Sequence, residues 1–458
     1  MSHLHVYNPA TGALIQEVQA DTAETVAEKF RTAKHAQPAW AEVPVARKVE
    51  MIRRFRDILI DRKEHAARIL TSETGKPIRQ SRNEVGGVNG RLEFFIENVQ
   101  ATLRNETVLV DVPGRLCEQI RYEPLGVIAN ISAWNYPYFV GANVFVPALL
   151  AGNAVLYKPS EFSTMTGLLL AESLHAAGIP EDIFVPVVGA GRIGAALLEQ
   201  PINGVFFTGS YATGSSIAQA AARKMMKVQL ELGGKDPTYV CADADAAQIA
   251  AGIADGAFYN TGQSCCSVER IYVHEDCYRA FVDAFVSEVK SYVVGDPSDD
   301  HTYIGAITRG PQLDVLERQV QDAVQKGAKL LCGGSRIRGP GNFFQPTVLV
   351  DVDHTMDVMR EESFGPIIGI QMVHSDDEAV ARMNDSAYGL TAGVYTPDAA
   401  RAEKLMAQLN VGSVYWNCCD RVSPRLPWSG RGHSGIGSTL SRLGILTFVQ
   451  PKAWHLRG

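Results

Sequence analysis

From residue 125 onward, short apolar runs alternate with helix-length stretches, and that alternation leaves few folds open. The runs fall at 127–131, 154–157, 183–188, 204–207 and 228–232. Parallel strands need a crossover of a dozen or more residues, usually a helix. The expectation is a twisted parallel sheet with helices on both faces. Residues 237–420 repeat the pattern, with helices expected near 243–258, 276–290 and 311–326 and strands near 270, 330, 367 and 412. A chain of 458 residues is too long for one ordinary core. The fold class is therefore α/β, with two doubly wound α/β domains.

The first 124 residues read differently. Short extended pieces are expected over 5–20, and Asp21-Thr-Ala-Glu24 has the form of a capping box opening a helix. A longer amphipathic helix is expected from Pro44 to Thr74-Gly75, and another from Lys76-Pro77 to about residue 100. Residues 108–113 and 117–122 alternate polar and apolar around Pro113-Gly114. That is a β-hairpin with two half-exposed faces, an arm rather than a core sheet. The extended tail at 445–451 is a candidate to pair with it.

Composition narrows the partners. A net charge of −7 argues against nucleic acid or an anionic membrane surface, and no apolar run approaches a membrane span. The eight cysteines form neither a metal-ligating pattern nor a disulfide framework, and the start resembles no export signal, so a cytoplasmic protein is expected.

Several motifs sit at strand ends, where α/β proteins do chemistry. Gly262-Gln-Ser-Cys265-Cys266 follows a helix-like run and precedes a buried strand, which suits an exposed thiol nucleophile near free backbone N–H groups. A cysteine so placed is also a common small core residue. Trp134-Asn135-Tyr136-Pro137 offers an Asn to donate to an oxyanion, or an ordinary turn. Glu231-Leu232-Gly-Gly-Lys235 puts a carboxylate at the end of an apolar strand, where burial raises its pKa and suits it to act as a base. Gly189-Ala-Gly191-Arg-Ile-Gly194 fits G-x-G-x-x-G but lacks the acid about 20 residues on. Phe207-Thr208-Gly209-Ser210 is a second phosphate-turn candidate. Lys158-Pro-Ser-Glu161 and Glu362-Ser-Phe364-Gly-Pro complete the set.

Taken in order over essentially the whole chain, these motifs closely resemble the NAD(P)-dependent aldehyde dehydrogenase superfamily. The resemblance implies that Cys265 adds to an aldehyde, that Asn135 and the Cys265 N–H hold the oxyanion, and that Glu231 activates the water that hydrolyses the resulting thioester. It implies NAD as cofactor, with NADP possible. Lys158 and Glu161 would hold the adenine ribose, and Gly209-Ser210, with Thr208, the pyrophosphate. Glu362 and Phe364 would hold the nicotinamide ribose, with Trp134, Gly191 and Leu232 also at the cofactor. Glu161 leans to NAD, since a carboxylate repels a 2′-phosphate. The implied division is a cofactor-binding domain at 1–103 and 123–233 and a catalytic domain at 234–436. An oligomerisation arm at 104–122 and 437–458 would build a homodimer or homotetramer.

Two departures from the family pattern matter. Many members carry a second Glu where this chain has Thr439, which puts a proton relay there in doubt. The succinate-semialdehyde branch has an Arg where this chain has Tyr259. A pocket of Tyr136, Phe139, Tyr259 and Trp428 points to an uncharged aliphatic or aromatic aldehyde. The alternative is a carboxylate-bearing semialdehyde met by Arg421 or Arg425.

Overall fold

A computed structural model describes residues 3–111 and 116–457; the expected Pro113-Gly114 turn lies outside them. The first sheet runs Gly435–Ile436, Lys227–Glu231, Gly204–Thr208, Val127–Ile131, Ala154–Lys158, Phe184–Pro186. Its neighbours are parallel except for the antiparallel pairing of Gly435–Ile436. Strands Val127–Ile131 and Ala154–Lys158 are buried along their whole length, as strands covered on both faces must be. The chain steps outward one way from Val127–Ile131 and then returns to its other side at Gly204–Thr208. The switch point therefore lies between those two strands, and ligands of such sheets bind beyond the carboxyl ends there.

The second sheet runs Lys329–Cys332, Thr347–Val350, Ile367–Val373, Val268–His274, Asp236–Val240, Thr391–Tyr395, Ser413–Trp416. Only its first pair is antiparallel. Alternation along a strand sends Tyr239 and Tyr272 into one apolar layer and Val240, Ile271 and Val273 into the other. The expected helices appear as Ala246–Phe258, Glu275–Ser291 and Gly310–Gln325.

The N-terminal helices pack on the first sheet. Ile78–Thr102 turns Val85, Val88, Leu92, Phe95 and Val99 into the core, the spacing of one helical face. The helix expected from Pro44 to Thr74 is instead two, Val45–Asp61 and Lys63–Thr74, joined at Arg62 (φ −94°, ψ 10°). Neither Gly nor Pro marks that break. Gly75 closes the second helix in the left-handed region, as expected (φ 77°).

The expected extended tail also differs. Ser441–Leu446 is helical, and Ile445 and Phe448 are buried in the first core, with Phe448 stacked on Phe206 at 4.5 Å. These apolar side chains draw the segment inward, so the strand begins only at Val449. From there Val449–Arg457 pairs antiparallel with Leu116–Pro124, which pairs in turn with Glu106–Val110. Among the described residues no helix is long and apolar enough to cross a membrane.

Candidate active site

Cys265 sits in the connection between helix Ala246–Phe258 and strand Val268–His274. The chain leaves the helix through the turn Tyr259–Gly262, in which Asn260, Thr261 and Gly262 all have positive φ (53°, 59° and 70°). Two of these carry side chains, so the conformation is costly and must be held from outside. Asn260 N donates to Gln80 Oε1 (2.8 Å), Thr261 Oγ1 accepts from Gly305 N (3.0 Å), and Gln263 Oε1 accepts from Thr308 N (3.0 Å). A Cβ on Gly262 would collide with the Gly365 carbonyl. The loop is braced on three sides and holds Cys265 half-buried.

Asn135 follows strand Val127–Ile131 and meets this loop. Its Nδ2 donates to Gln263 O (3.1 Å), and Asn260 Nδ2 donates to Asn135 O (3.3 Å). A primary amide has two N–H donors, so one remains. The Cys265 N–H donates to none of the described groups. Asn135, bonded to the residue two before the thiol, and the Cys265 N–H thus each keep a donor, the type of group an oxyanion requires, although Asn135 is not among the residues lining the cavity.

Glu231 ends strand Lys227–Glu231 and is 5 % exposed. Its Oε1 accepts from Gln229 Nε2 (3.1 Å) and from the Thr439 hydroxyl. Burial pushes its pKa up to about 7, against the opposing pull of Thr439, Arg91 and Gln229. A carboxyl titrating near neutrality is suited to take a proton from water. The two glycines that follow are needed for close approach. A Cβ on Gly233 would collide with the Glu362 carboxyl, and one on Gly234 would stand 2.5 Å from the Cys265 carbonyl oxygen.

Glu231 and Cys265 open together into a cavity of about 760 Å³. The four aromatic residues expected there, Tyr136, Phe139, Tyr259 and Trp428, all line it. Tyr136 and Phe139 stack at 6.0 Å, and Asn83 Nδ2 donates to the Tyr259 hydroxyl (3.1 Å). Arg421 lines the mouth; Arg425 is not among the lining residues, which removes half of the expected arginine pair. Beside Cys265, Cys266 is buried and its thiol donates to Asp420 Oδ1 (2.9 Å).

The other candidate residues lie at the carboxyl ends of the first sheet and in the loops after them. Thr208, Gly209 and Ser210 sit at the switch point and lead into helix Tyr211–Ala222; Ser210 Oγ caps Thr213 N there, and the Tyr211 and Ala212 N–H groups make no bond among the described residues, as a phosphate site would need. Lys158 is buried at the end of the neighbouring strand, its Nζ donating to Pro159 O (3.2 Å), with Glu161 beyond it. Phe364, at φ 48°, packs edge-on against Trp134 at 5.6 Å, and Glu362 Oε1 accepts from Gly234 N (3.1 Å). Gly191 begins a helix after the edge strand Phe184–Pro186, away from the switch point, and is exposed. A Cβ on Gly191 would meet nothing within 4 Å, which leaves open space above it. The donor set, an open glycine turn and a helix start with two unspent N–H groups fit a dinucleotide.

The profile of the aldehyde dehydrogenase family matches residues 1–454. The chain belongs to the aldehyde dehydrogenase family. A Mycobacterium ulcerans (strain Agy99) protein named "Putative succinate-semialdehyde dehydrogenase (NADP(+)) 2" is 35 % identical over 444 residues, 96 % of this chain and 86 % of that protein. The crystal structure of an NAD-dependent aldehyde dehydrogenase from Sinorhizobium meliloti matches with a TM-score of 0.96 at 32 % identity, over 100 % of this chain and 91 % of that one. Lactaldehyde dehydrogenase from Escherichia coli matches with a TM-score of 0.96 at 31 % identity, over 100 % and 96 %.

The geometry of this aldehyde dehydrogenase adds groups that the motifs did not name. Gln229 lies two residues before Glu231, on the same face of the strand. Thr439, read from the sequence only as a missing Glu, is bonded to Glu231 itself. Asn260 ties Asn135 to the thiol loop. Arg91 is buried in the cavity wall. Its signal was available: with Glu84, Val88 and Phe95 it falls in the buried seam of helix Ile78–Thr102.

Proposed function

We propose that the chain oxidises an aldehyde to a carboxylate through a covalent step at Cys265, with NAD(P)+ as oxidant. The Cys265 thiolate attacks the carbonyl carbon; a C–S bond forms and the carbonyl π pair moves to oxygen, where the Asn135 amide and the Cys265 N–H donate. The bound nicotinamide supplies the acceptor for the hydride lost from that carbon. Cys265 then carries a thioester. Glu231 takes a proton from water as it attacks, the C–S bond breaks, and the thiolate is restored. The sum is RCHO + NAD(P)+ + H2O giving RCOO−, NAD(P)H and two protons. Lys158, Glu161, Thr208, Gly209, Ser210, Leu232, Glu362, Phe364 and Trp134 would hold the cofactor, with Gly191 bordering it.

The observation that carries this reading is the convergence on one cavity of a loop-borne thiol and a buried carboxyl titrating near 7. The aromatic walls favour an uncharged aliphatic or aromatic body next to the carbonyl. The carboxylate-bearing alternative gains support from Arg421 at the mouth and from the named M. ulcerans relative. The reading extends to a cytoplasmic homodimer or homotetramer, joined through the arm, where Val108, Leu109 and Val110 are exposed apolar residues. It keeps the division into a cofactor domain (1–103, 123–233), a catalytic domain (234–436) and an arm (104–122, 437–458). The test crosses a panel of aldehydes with NAD+ and NADP+, measuring reduced cofactor and carboxylate together. Equal amounts of both, formed without coenzyme A, are expected; reduced cofactor without acid, or none with any aldehyde, contradicts it.

A further inference from the structure

Arg91 is buried without a direct ion pair among the described residues, although Glu84 and Glu231 attract it at longer range. It projects from the middle of helix Ile78–Thr102 and is 7 % exposed, and what remains exposed faces the cavity it lines together with Cys265 and Glu231. Among the described residues, the guanidinium makes one hydrogen bond, Nη1 to Asn143 Oδ1 (3.1 Å), and no carboxylate lies within ion-pair distance. Its Cζ stands 3.8 Å from the centroid of the Phe139 ring. The ring contact and the Asn143 bond together hold the group in place. A guanidinium has five N–H donors in a fixed fork, so most of this one is unspent. The buried acid on the same helix, Glu84, is already bonded to Lys76. Burial lowers the pKa of Arg91 only to about 10, so it is a cation at neutral pH.

Such a group discriminates among aldehydes. A hydrocarbon tail entering the cavity strips water from the guanidinium and returns nothing for it. A tail carrying oxygen replaces those hydrogen bonds, and a carboxylate can take two at once. The cavity lining thus pairs aromatic walls with one buried cation. We propose that Arg91 is the specificity-determining residue of this enzyme, donating to an oxygen acceptor on the substrate tail remote from the aldehyde carbon. The proposal rests on the aldehyde-oxidation reading above and names the class of aldehyde that the site prefers.

The test compares aldehydes of one shape and different tails: 4-methyl-, 4-hydroxymethyl- and 4-carboxybenzaldehyde, with butanal against 4-oxobutanoate as an aliphatic pair. Parental enzyme, Arg91→Met and Arg91→Lys are each assayed for kcat/KM, with melting temperature and cofactor binding as controls on folding. The parental enzyme is expected to prefer an oxygen-bearing tail over methyl by about 10- to 100-fold, the range for a hydrogen bond to a charged group. Arg91→Met should erase that preference, read as the ratio of tailed to methyl aldehyde within each variant so that any effect through Glu231, common to every aldehyde, cancels; Arg91→Lys should keep part of it. A preference for the carboxylate alone assigns a charged tail, and one for the hydroxymethyl compound a neutral tail. An equal loss on every aldehyde in Arg91→Met makes Arg91 structural and overturns the proposal, as does a parental enzyme indifferent to the tail. Failure of the aldehyde reading would look different: no reduced cofactor with any compound.

Discussion

In the proposed reaction two chambers meet at Cys265, and they are built in opposite ways. The one proposed for the nucleotide is assembled from consecutive carboxyl ends of parallel strands: Trp134 after one, Lys158 and Glu161 after the next, Thr208 to Ser210 after another. Each residue sits where its strand stops, so a short motif carries its position. The substrate cavity is walled by the sides of helices and by distant loops: Arg91 and Asn143 from helix interiors, Tyr259 from a turn, Trp428 from the C-terminal segment. No local motif contains that wall. The first chamber follows from topology, whereas the second depends on how the helices pack.

Changes at the junction, on each side of it, and beyond it should separate the two chambers by size of effect. The largest belongs to Cys265→Ala, which removes the group both chambers serve. Oxidation should vanish while the cofactor, titrated by fluorescence, still binds. Near-parental turnover would dissolve the junction and point to Cys266 instead.

Glu231→Gln comes next. It keeps the shape and loses the base, so one equivalent of reduced cofactor should form in a burst and steady turnover should fall by ~100- to 10,000-fold. Parental kcat should decline as pH falls below about 7, because only the ionised carboxylate accepts a proton. The Gln variant should lose that limb. Stability runs the other way. A carboxyl whose pKa is raised by folding takes up its proton more readily in the native state, so its favourable contribution is lost as pH rises toward 7. Glu231→Gln should therefore melt above the parental enzyme at pH 8 and close to it at pH 4.

Thr439→Val is smaller and sharper. The hydroxyl holds the pKa of Glu231 down, so its loss should move the acid limb to higher pH and slow turnover at pH 7 by about tenfold, the worth of a hydrogen bond to a charged group. An unmoved pH profile would make the Thr439 contact incidental. Smallest is Glu161→Gln, on the nucleotide side alone. It should improve kcat/KM for NADP+ relative to NAD+ by a few fold, as removing one carboxylate from a phosphate's surroundings would, and leave aldehyde preference unchanged. A shift in aldehyde preference would mean that the chambers are not separate.

How much was legible follows the same division. The apolar alternation gave both sheets and the motifs at their ends, and with them Cys265, Glu231 and Asn135. Gln229 needed only the two-residue period of a strand. Arg91 needed its charge to be noticed in a seam that otherwise reads Val85, Val88, Leu92, Phe95. The break at Arg62 left no trace, since no Gly or Pro stands there. Ile445 and Phe448 read as a strand because extended and buried helical segments share the same apolar run; tertiary packing decided between them.

The central claim is that the two chambers act on one sulfur. The most direct measurement quenches Glu231→Gln in acid after a single turnover with 4-methylbenzaldehyde and cofactor, then maps the bound acyl group by peptide mass spectrometry. One acyl group per chain is expected, on Cys265, matched by one equivalent of reduced cofactor. Reduced cofactor with the acyl group on Cys266, or with none on the protein, would contradict it.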